Sequence, residues 1–303
     1  MAKKLDLSII ILNYNGLFWL KKLLPTIDKF YLKKTKYRVE VIVVDNDSQD
    51  DSVQFLKKNF TWVKVIESGQ NGGFAFGNNV ALRQTQARYV MLLNSDTEFI
   101  ADKSNLDILI DYLDKHKKVA VVGPRLTLSN GRLDPASHRG EPHPWAAFTY
   151  FVGLEKLFPR SKFLAHYHLG HLDLDTIHPV EAVSGAAMMV KRSAINKVGL
   201  LDENFFMYGE DLDWCRRFRD ANYQVVFHPQ VIIIHHKYKS GIKSVNKKTA
   251  KKTNSFFYNA MLTYYDKYYG PKYPHFLRRI LRSYIFVKRD GRWWQALIKL
   301  AIA

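Results

Sequence analysis

Four short apolar runs, each followed by polar residues, constrain the fold of this chain more than any other feature. They span residues 7–12, 39–44, 63–66 and 89–93, are rich in β-branched side chains, and are separated by helix-like patterns. Strands that alternate with helices form parallel sheets, because neighbouring parallel strands need a crossover connection. The sequence therefore predicts an α/β fold in which helices flank a mostly parallel central sheet.

The polar residues that follow these runs are candidates for ligand contacts, since parallel α/β sheets bind ligands beyond the carboxyl ends of their strands. The segments there are NYNG from residue 13, DNDS from residue 45 and NSDT from residue 94. Ser48 and Asp51 have the spacing of a helix capping box. Capping does not account for Asp45, whose carboxylate at a strand tip can accept the N3–H of a uracil or thymine ring.

Asp96 and His235 are candidates for binding a divalent cation. Asp96 follows the fourth apolar run, and hard cations are commonly held by one or two carboxylates plus substrate phosphates. A polar strand-to-loop turn is the alternative explanation for Asp96 taken alone. His235 and His236 end the apolar run at residues 231–234, and we prefer His235 over His236 as the second ligand.

A glycine-rich segment, GQNGGFAFGNN at residues 69–79, opens a predicted helix. Backbone amides can approach a ligand closely there, so a nucleotide-binding role is reasonable. The glycine spacing of a dinucleotide-binding loop is absent, and a simple turn is the alternative.

Three carboxylates, Glu210, Asp211 and Asp213, lie in the first turn of another predicted helix. The helix dipole and an i,i+4 pair with Arg217 account for Asp213. For Glu210 and Asp211 we expect an ionised carboxylate at neutral pH, as a general base that accepts a proton from a hydroxyl must be.

The region between residues 129 and 179 is rich in proline, histidine and aromatic residues and is expected to be a substrate-specific insertion. His166, His168 and His171 could suggest a zinc site, but no cysteine or acidic ligand is suitably spaced to complete it. We expect these histidines to be solvated or to line a substrate site.

The chain carries 46 Lys and Arg against 28 Asp and Glu, a net charge of +18, which favours an anionic partner. With Cys215 as the single cysteine and no apolar stretch long enough to span a bilayer, we expect a cytoplasmic protein, soluble or on the inner face of the cell membrane. From residue 241 the sequence is basic and aromatic, which suits either a membrane surface or a helical cap on the catalytic domain. The residues concerned are Arg278, Arg279, Arg282, Tyr284, Phe286, Lys288, Arg289, Trp293 and Trp294.

Seven segments in this order resemble the family-2 glycosyltransferases of the GT-A fold, and rhamnosyltransferase-type enzymes of bacterial surface-polysaccharide synthesis in particular. The resemblance covers residues 8–240 and implies a catalytic domain at 1–240, with a nucleotide-binding half to about residue 100 and an acceptor-binding half after it, followed by a helical extension at 241–303. The segments are SIIILNYNG, VIVVDNDSQDDS, NGGFAFGNN, MLLNSDTEF, VSGAAMMVKR, FFMYGEDLDWCRR and IIIHHKYKSG.

The resemblance implies a role for each matching residue. Asp211 would be the catalytic base of an inverting displacement, with Glu210 orienting the acceptor, and Asp45 would read the base of the nucleotide. Asn94 replaces the first aspartate of the family's Asp-x-Asp metal motif, so Asp96 would carry most of the contact with Mg²⁺ or Mn²⁺. The nucleotide pocket would include Asn13, Asn15, Asp45, Asn71, Gly72, Gly73, Asn78, Asn94 and Ser95, and the acceptor site Gly185, Ala186, Ala187 and Trp214.

The resemblance implies a nucleotide-diphosphate sugar as donor, with dTDP-rhamnose first and UDP-hexoses next, and a glycan or polyprenyl-pyrophosphate-linked acceptor. A nucleotidyltransferase would instead carry a basic phosphate-gripping motif near its N-terminus, where this chain has NYNG. A nucleic-acid binding protein would bind DNA or RNA with a steep salt dependence. Only the transferase accounts for the ordered acidic segments, so we expect no nucleic-acid partner.

Overall fold

The computed structural model describes residues 5–237 and 247–290. These residues form two compact units. The first runs to Glu203 and resumes from Glu210 to Lys237, and the second comprises Asn204–Gly209 and the described residues from 247 onward. The predicted domain boundary at residue 240 lies outside the described residues and stays a prediction.

The four apolar runs are strands, and three helices connect them. The strands are β1 (Leu7–Asn13), β2 (Val39–Asp45), β3 (Val63–Glu67) and β4 (Tyr89–Asn94). The helices are α1 (Leu17–Ile27), which continues into a π-helical turn at Asp28–Leu32, α2 (Ser52–Asn59) and α3 (Gly73–Gln84).

The rest of the first unit adds five strands and five helices to this half. The strands are β5 (Thr97–Phe99), β6 (Val119–Leu128), β7 (His178–Val180), β8 (Ala187–Lys191) and β9 (Gln224–His235). The helices are α4 (Asp107–Lys115), α5 (Pro144–Phe151), α6 (Leu154–Leu157), α7 (Arg192–Val198) and α8 (Glu210–Asp220), with a 3-10 turn at Pro135–Ser137.

All nine strands join one sheet in the order β3-β2-β1-β4-β8-β6-β9-β5, with β7 paired to β9. The pairings among β1 to β4 and between β6 and β9 are parallel. Those of β4 with β8, β8 with β6, and β9 with β5 and β7 are antiparallel. The α/β prediction is thus confirmed, but the sheet is mixed, and only its first half is parallel throughout.

Strand β1 is buried on both faces, which explains why its sequence is continuously apolar instead of alternating. Ile9 and Ile11 belong to the apolar cluster on one face, which α1 and α4 cover, and Ile10 belongs to the cluster on the other face. Helices α3, α7 and α8 cover this second face, where Trp214 and Phe218 of α8 are fully buried. The first turn of α8 is therefore anchored to the sheet by the apolar side of the same helix.

The second unit contains α9 (Lys247–Tyr268) and α10 (His275–Asp290). Asp266 of α9 accepts hydrogen bonds from Arg278 at 2.7 Å and Arg282 at 3.1 Å, so two of the basic residues assigned to a lipid surface also pair within the unit. The side chains of Lys288 and Arg289, and all of Trp293 and Trp294, lie outside the described residues. No helix in the described ranges is both long and apolar enough to cross a bilayer.

Replacing Trp214 by alanine should lower the free energy of unfolding by about 3–5 kcal/mol, because the cavity left in the core cannot close fully. Trp62 is 38% exposed, and Trp62→Ala, the control, should cost about 1 kcal/mol or less. Urea denaturation followed by circular dichroism measures both. Equal costs for the two variants would contradict the described packing of α8.

Candidate functional site

Asp45 is held in one orientation at the end of β2. Asn13 Nδ2 donates to its Oδ1 at 3.0 Å, and the backbone N–H of Ser48 donates to its Oδ2 at 2.9 Å. Each carboxylate oxygen keeps one lone pair for a further donor such as a nucleobase N–H. Asn13 is fully buried and also donates to Ser48, so it orients the predicted pocket instead of facing a ligand.

Ser48 ties the loop after β2 to the loop after β1. The backbone N–H of Asn15 donates to Ser48 Oγ at 2.8 Å, and Asn15 Oδ1 accepts from the backbone N–H of Gln49 at 2.7 Å. Helix α2 begins at Ser52, and the backbone N–H of Ser52 donates to the side chain of Asp50. Because Ser48 therefore lies before the helix, the predicted capping box of Ser48 with Asp51 is wrong. Asn15 is exposed, and its contact with a nucleotide stays a prediction.

The glycine-rich loop leads into α3. Asn71 Oδ1 accepts from the N–H of Gly73 at 3.2 Å and from Asn46 Nδ2 at 3.0 Å. Gly73 has φ +86°, a conformation that favours glycine, while at Gly72 a Cβ would collide with the Phe76 ring.

Asn78 is 1% exposed, and its Nδ2 donates to the carbonyl of Phe74 one turn earlier in α3. The prediction that Asn78 binds nucleotide is therefore not supported, because its side chain is committed inside the helix.

The end of β4 meets the segment before β8. The N–H of Asn94 donates to the carbonyl of Ala186 at 3.0 Å. Ser95 lies against the loop after β1, where its Oγ would be 3.4 Å from a Cβ at Gly16. These contacts place Asn94 and Ser95 between the predicted nucleotide pocket and the predicted acceptor side.

Asp96 and His235 are adjacent, although 139 positions separate them in the sequence. The pairing of β5 with β9 sets Thr97 opposite His235, and Asp96 Oδ1 lies 3.3 Å from His235 Nε2. Both ring nitrogens of His236, the alternative ligand, are already hydrogen-bonded. Nε2 lies 2.8 Å from a carboxylate oxygen of Glu98, and Nδ1 lies 2.9 Å from the hydroxyl of Ser129. The geometry therefore favours His235 as the partner of Asp96.

Asp134, which sequence reasoning missed, fixes the imidazole of His235. Its fully buried carboxylate accepts hydrogen bonds from His235 Nδ1 at 2.7 Å and from Lys237 Nζ at 2.9 Å. Burial disfavours the imidazolium, but the hydrogen bonds and charges of Asp134 and Asp96 outweigh it and raise the pKa of His235 to about 9. A carboxylate that holds Nδ1 is the usual support of a histidine that ligates a metal through Nε2. Here Nε2 is directed at Asp96, and a cation bound by both residues would displace the proton that the imidazole holds.

The donor set at Asp96 and His235 is small. No group of three or more His, Cys, Asp or Glu residues able to hold a metal ion occurs in residues 5–237 and 247–290. Two protein ligands suit Mg²⁺ or Mn²⁺ when substrate phosphates and water complete the coordination. The residues present thus fit a cation that arrives with a phosphorylated substrate.

Three hydrogen bonds hold the carboxylate of Asp211. Its Oδ2 accepts from Arg139 Nη2 at 2.6 Å and from the backbone N–H of Gly185 at 3.1 Å, and its Oδ1 accepts from the N–H of Leu212 at 2.8 Å. The Asp211 side chain is 12% exposed and that of Arg139 9%, so the pair is nearly removed from water. Arg139 also donates to the carbonyl of Val183 at 3.0 Å.

Glu210 precedes Asp211 but has the opposite electrostatic environment. Burial and then the negative charge of Asp211 raise the pKa of Glu210 to about 8. Its Oε2 is buried and has no hydrogen-bond partner among the described residues. The expectation that Glu210 is ionised at neutral pH is therefore not supported, because its surroundings favour the protonated carboxyl.

Gly185 belongs to the predicted acceptor floor and contacts Asp211. A Cβ there would lie 3.1 Å from the Phe74 ring, closer than a normal contact, and 3.6 Å from the Asp211 Cβ, so a side chain would crowd the ring and touch Asp211. Ala186 and Ala187 are buried behind it. Trp214 is fully buried and donates Nε1–H to the carbonyl of Gly199 at 2.9 Å, so the prediction that it contacts an acceptor is not supported.

The remaining predicted residues meet at one edge of the sheet. Asn13 is in register with Asp45, and Leu12 beside it with Asn94. From Asn94 a hydrogen bond leads to Ala186, whose neighbour Gly185 bonds to Asp211. Asp45, Asp96 and Asp211 are thereby fixed around a common edge.

A cavity of about 480 Å³ lies elsewhere, beside the last turn of α8 and the first residues of β9, and is lined in part by His166 and His171. His166 Nε2 lies 2.7 Å from Glu181 and His168 Nδ1 2.5 Å from Glu155, so these histidines pair with separate carboxylates.

Comparison with known proteins places the chain in a family. Residues 8–197 match the family model described as glycosyl transferase family 2, and residues 145–301 match that of glycosyl transferase family group 2. Since the first match covers more than half of the sequence, the chain belongs to glycosyl transferase family 2.

Two curated relatives work on glycans according to their names. The N-acetylglucosaminyl-diphospho-decaprenol L-rhamnosyltransferase of Mycobacterium tuberculosis is 27% identical over 214 residues, covering 67% of this chain and 68% of the relative. The low-salt glycan biosynthesis hexosyltransferase Agl10 of Haloferax volcanii is 27% identical over 224 residues, covering 73% of this chain and 64% of the relative.

Solved structures confirm the GT-A fold. TarS of Staphylococcus aureus superposes with a TM-score of 0.57 at 16% identity, over 99% of this chain and 46% of TarS. The mannosyltransferase PcManGT of Pyrobaculum calidifontis, solved with GDP-Man and Mn²⁺, gives 0.55 at 16% identity, over 99% of this chain and 74% of that one. The chain thus spans less than half of TarS.

Glu210→Gln should stabilise the protein increasingly between pH 5 and pH 8. The pKa of Glu210 is about 8 in the folded state, against 4.5 for an unperturbed glutamate. In that pH range the carboxyl of Glu210 is ionised in the unfolded chain and protonated in the folded chain. The free energy of unfolding of the wild type therefore falls by up to about 1.4 kcal/mol per pH unit relative to that of the neutral variant. Urea denaturation across this pH range measures the difference.

Glu203→Gln is the control, because hydrogen bonds from Asn79 and Arg83 lower the pKa of Glu203. The difference in free energy of unfolding between this variant and the wild type should be constant above pH 5. A pH-independent difference for Glu210→Gln would show that Glu210 is already ionised in the folded protein.

Proposed function

We propose that this family-2 glycosyltransferase is an inverting, cation-dependent enzyme that transfers a sugar from a nucleotide diphosphate to a glycan or a polyprenyl-pyrophosphate-linked acceptor in surface-polysaccharide synthesis. The first-choice donor is dTDP-rhamnose, and a UDP-hexose is the alternative. The observation that carries the proposal is the position of Asp211, a nearly buried carboxylate that is bonded to the same sheet edge as Asp45 and Asp96.

Asp211 has one oxygen suited to proton transfer. Oδ2 already accepts two hydrogen bonds, from Arg139 and Gly185, whereas Oδ1 accepts one, from Leu212. The remaining lone pair of Oδ1 is therefore the acceptor for a substrate proton. Arg139 contributes by fixing the carboxylate plane and by balancing its charge in a site with little water.

The proposed reaction is a single displacement. Oδ1 of Asp211 takes the proton of an acceptor hydroxyl as that oxygen attacks the anomeric carbon of the donor. The bond from this carbon to the diphosphate oxygen breaks on the opposite face, and the nucleoside diphosphate leaves with the electron pair. The protonated Glu210 beside Asp211 can donate a hydrogen bond that orients the acceptor.

Asp96 and His235 would hold the divalent cation, which when bound neutralises charge on the departing diphosphate. Their separation of 3.3 Å and the support of Asp134 behind His235 fit this role. Asp45, with one lone pair free on each oxygen, is suited to a uracil or thymine N3–H, in keeping with a UDP or dTDP donor.

The relatives support the reaction class and the type of acceptor. The mycobacterial relative is named as a rhamnosyltransferase acting on a diphospho-decaprenol, and the haloarchaeal one as a hexosyltransferase. The two names differ in the sugar that is transferred, so at 27% identity dTDP-rhamnose and a UDP-hexose both stay within the proposal.

Asp211→Asn should abolish sugar transfer, with a loss of at least about a thousandfold in kcat, while donor affinity changes less than about twofold, because the amide cannot take up a proton. Nucleotide release from dTDP-rhamnose and UDP-hexoses in the presence of acceptor measures turnover. Asp220→Asn, at the other end of α8, is the control and should retain activity. Wild-type turnover by Asp211→Asn would refute the assignment of the base.

Asp96→Ala should remove the dependence of nucleotide binding on the cation. Isothermal titration calorimetry with dTDP or UDP, with and without Mn²⁺, should show an enhancement by Mn²⁺ in the wild type that the variant lacks, since the carboxylate links cation and protein. Asp102→Ala, which removes an exposed aspartate of the same region, should retain it. Equal enhancement in Asp96→Ala and wild type would exclude Asp96 from the cation site.

A further inference from the structure

The insertion between β6 and β7 exposes an unusual number of large apolar side chains. Within the described residues, seven of the fourteen exposed large apolar side chains lie in residues 145–163, with exposures from 37% to 71%. Six of them form what we call the insertion surface: Trp145, Phe148, Val152, Leu157, Phe158 and Phe163.

Helix α5 presents these residues on the side that faces water. Trp145, Phe148 and Val152 follow one another at helical spacing and are exposed, whereas Ala146 and Thr149 on the neighbouring side are buried. A surface helix normally places polar residues on its exposed face and apolar ones against the core. The reversed pattern indicates that the exposed face of α5 is covered by another partner.

The insertion surface is also ordered by its own contacts. The Trp145 ring lies 5.6 Å from that of Phe148 and 4.8 Å from that of Phe163. Trp145 Nε1 donates to the carbonyl of Phe163 at 3.0 Å. These contacts join α5 to the segment after α6, so a partner meets a preformed surface.

Charge identifies the kind of partner. Lys156, Arg160 and Lys162 are exposed among the apolar residues. Between residues 142 and 172 the one acidic residue is Glu155, which is buried and bonded to His168. Exposed aromatic and aliphatic side chains interleaved with cations complement the surface of a bilayer rich in anionic lipid, where rings settle at the interface and ammonium groups meet the headgroups.

We propose that the insertion surface docks this protein on anionic lipid membranes. The surface lies in residues 145–163, apart from the basic tail beyond residue 240, and the proposal is independent of the donor and of the identity of the base. Docking there would hold the catalytic unit itself at the bilayer.

A site-specific probe tests the proposal in the full chain. Leu157 is 71% exposed, and a cysteine introduced there by Leu157→Cys is labelled with an environment-sensitive dye. The native Cys215 is buried and stays unlabelled. Vesicles of phosphatidylcholine with phosphatidylglycerol should shift the dye emission to the blue, and raised salt should reverse the shift. Dye at Trp62→Cys, on the link between α2 and β3, is the control and should not shift.

A second variant removes the apolar contribution. Leu157→Ser, Phe158→Ser and Phe163→Ser combined should reduce sedimentation with anionic vesicles by at least about tenfold, because three side chains no longer enter the interface. Trp62→Ser should sediment like the wild type. Unchanged thermal unfolding shows that the triple variant is folded.

Four results would overturn the proposal. Sedimentation of labelled Leu157→Cys without a shift in dye emission would assign the binding to the tail. Equal vesicle binding by the triple variant and the wild type, or no vesicle binding by the wild type, would also contradict docking by the insertion surface. A concentration-dependent dimer that is lost in the triple variant would show that a second copy of the chain covers the surface.

Discussion

The ion pair between Asp211 and Arg139 is the interaction on which the site depends. A carboxylate removed from water is stable in its charged form only when a cation and hydrogen bonds compensate it, and here Arg139, the amide of Gly185 and the amide of Leu212 do so. The same contacts connect α8 to the segment before β8, and through Ala186 to the end of β4. The carboxylate proposed as the catalytic base thus also holds these elements together.

Neighbouring carboxylates at the start of α8 differ because their surroundings differ. Asp211 has a cation at 2.6 Å, whereas Glu210 is buried beside the charge of Asp211, and its pKa rises to about 8. One group can therefore take up a proton while the other donates a hydrogen bond. At the proposed cation site, Asp134 holds His235 Nδ1 while Asp96 lies near His235 Nε2.

The parts of the site that follow from local sequence could be predicted, and those that follow from distant contacts could not. Polar residues after apolar runs located Asp45 and Asp96, because parallel strands end at a common edge. Arg139 and Asp134 lie in an insertion without a recognisable motif, and only the fold shows what they contact. Asn78 and Trp214 were assigned to ligands because they lie within matching segments, whereas their helices turn both side chains inward. The side of the helix on which each residue lies, relative to the sheet, would have been the signal that excludes Asn78 and Trp214 from ligand binding.

The proposed mechanism requires a bound cation and diphosphate to face Asp211 across the donor sugar. A crystal structure with Mn²⁺ and a non-hydrolysable nucleotide-diphosphate sugar would show whether they do. We expect anomalous density for Mn²⁺ in contact with Asp96 and His235 Nε2, the nucleobase at Asp45, and the anomeric carbon open to Asp211 on the face away from the diphosphate. Manganese bound elsewhere, or a sugar whose diphosphate points toward Asp211, would contradict it.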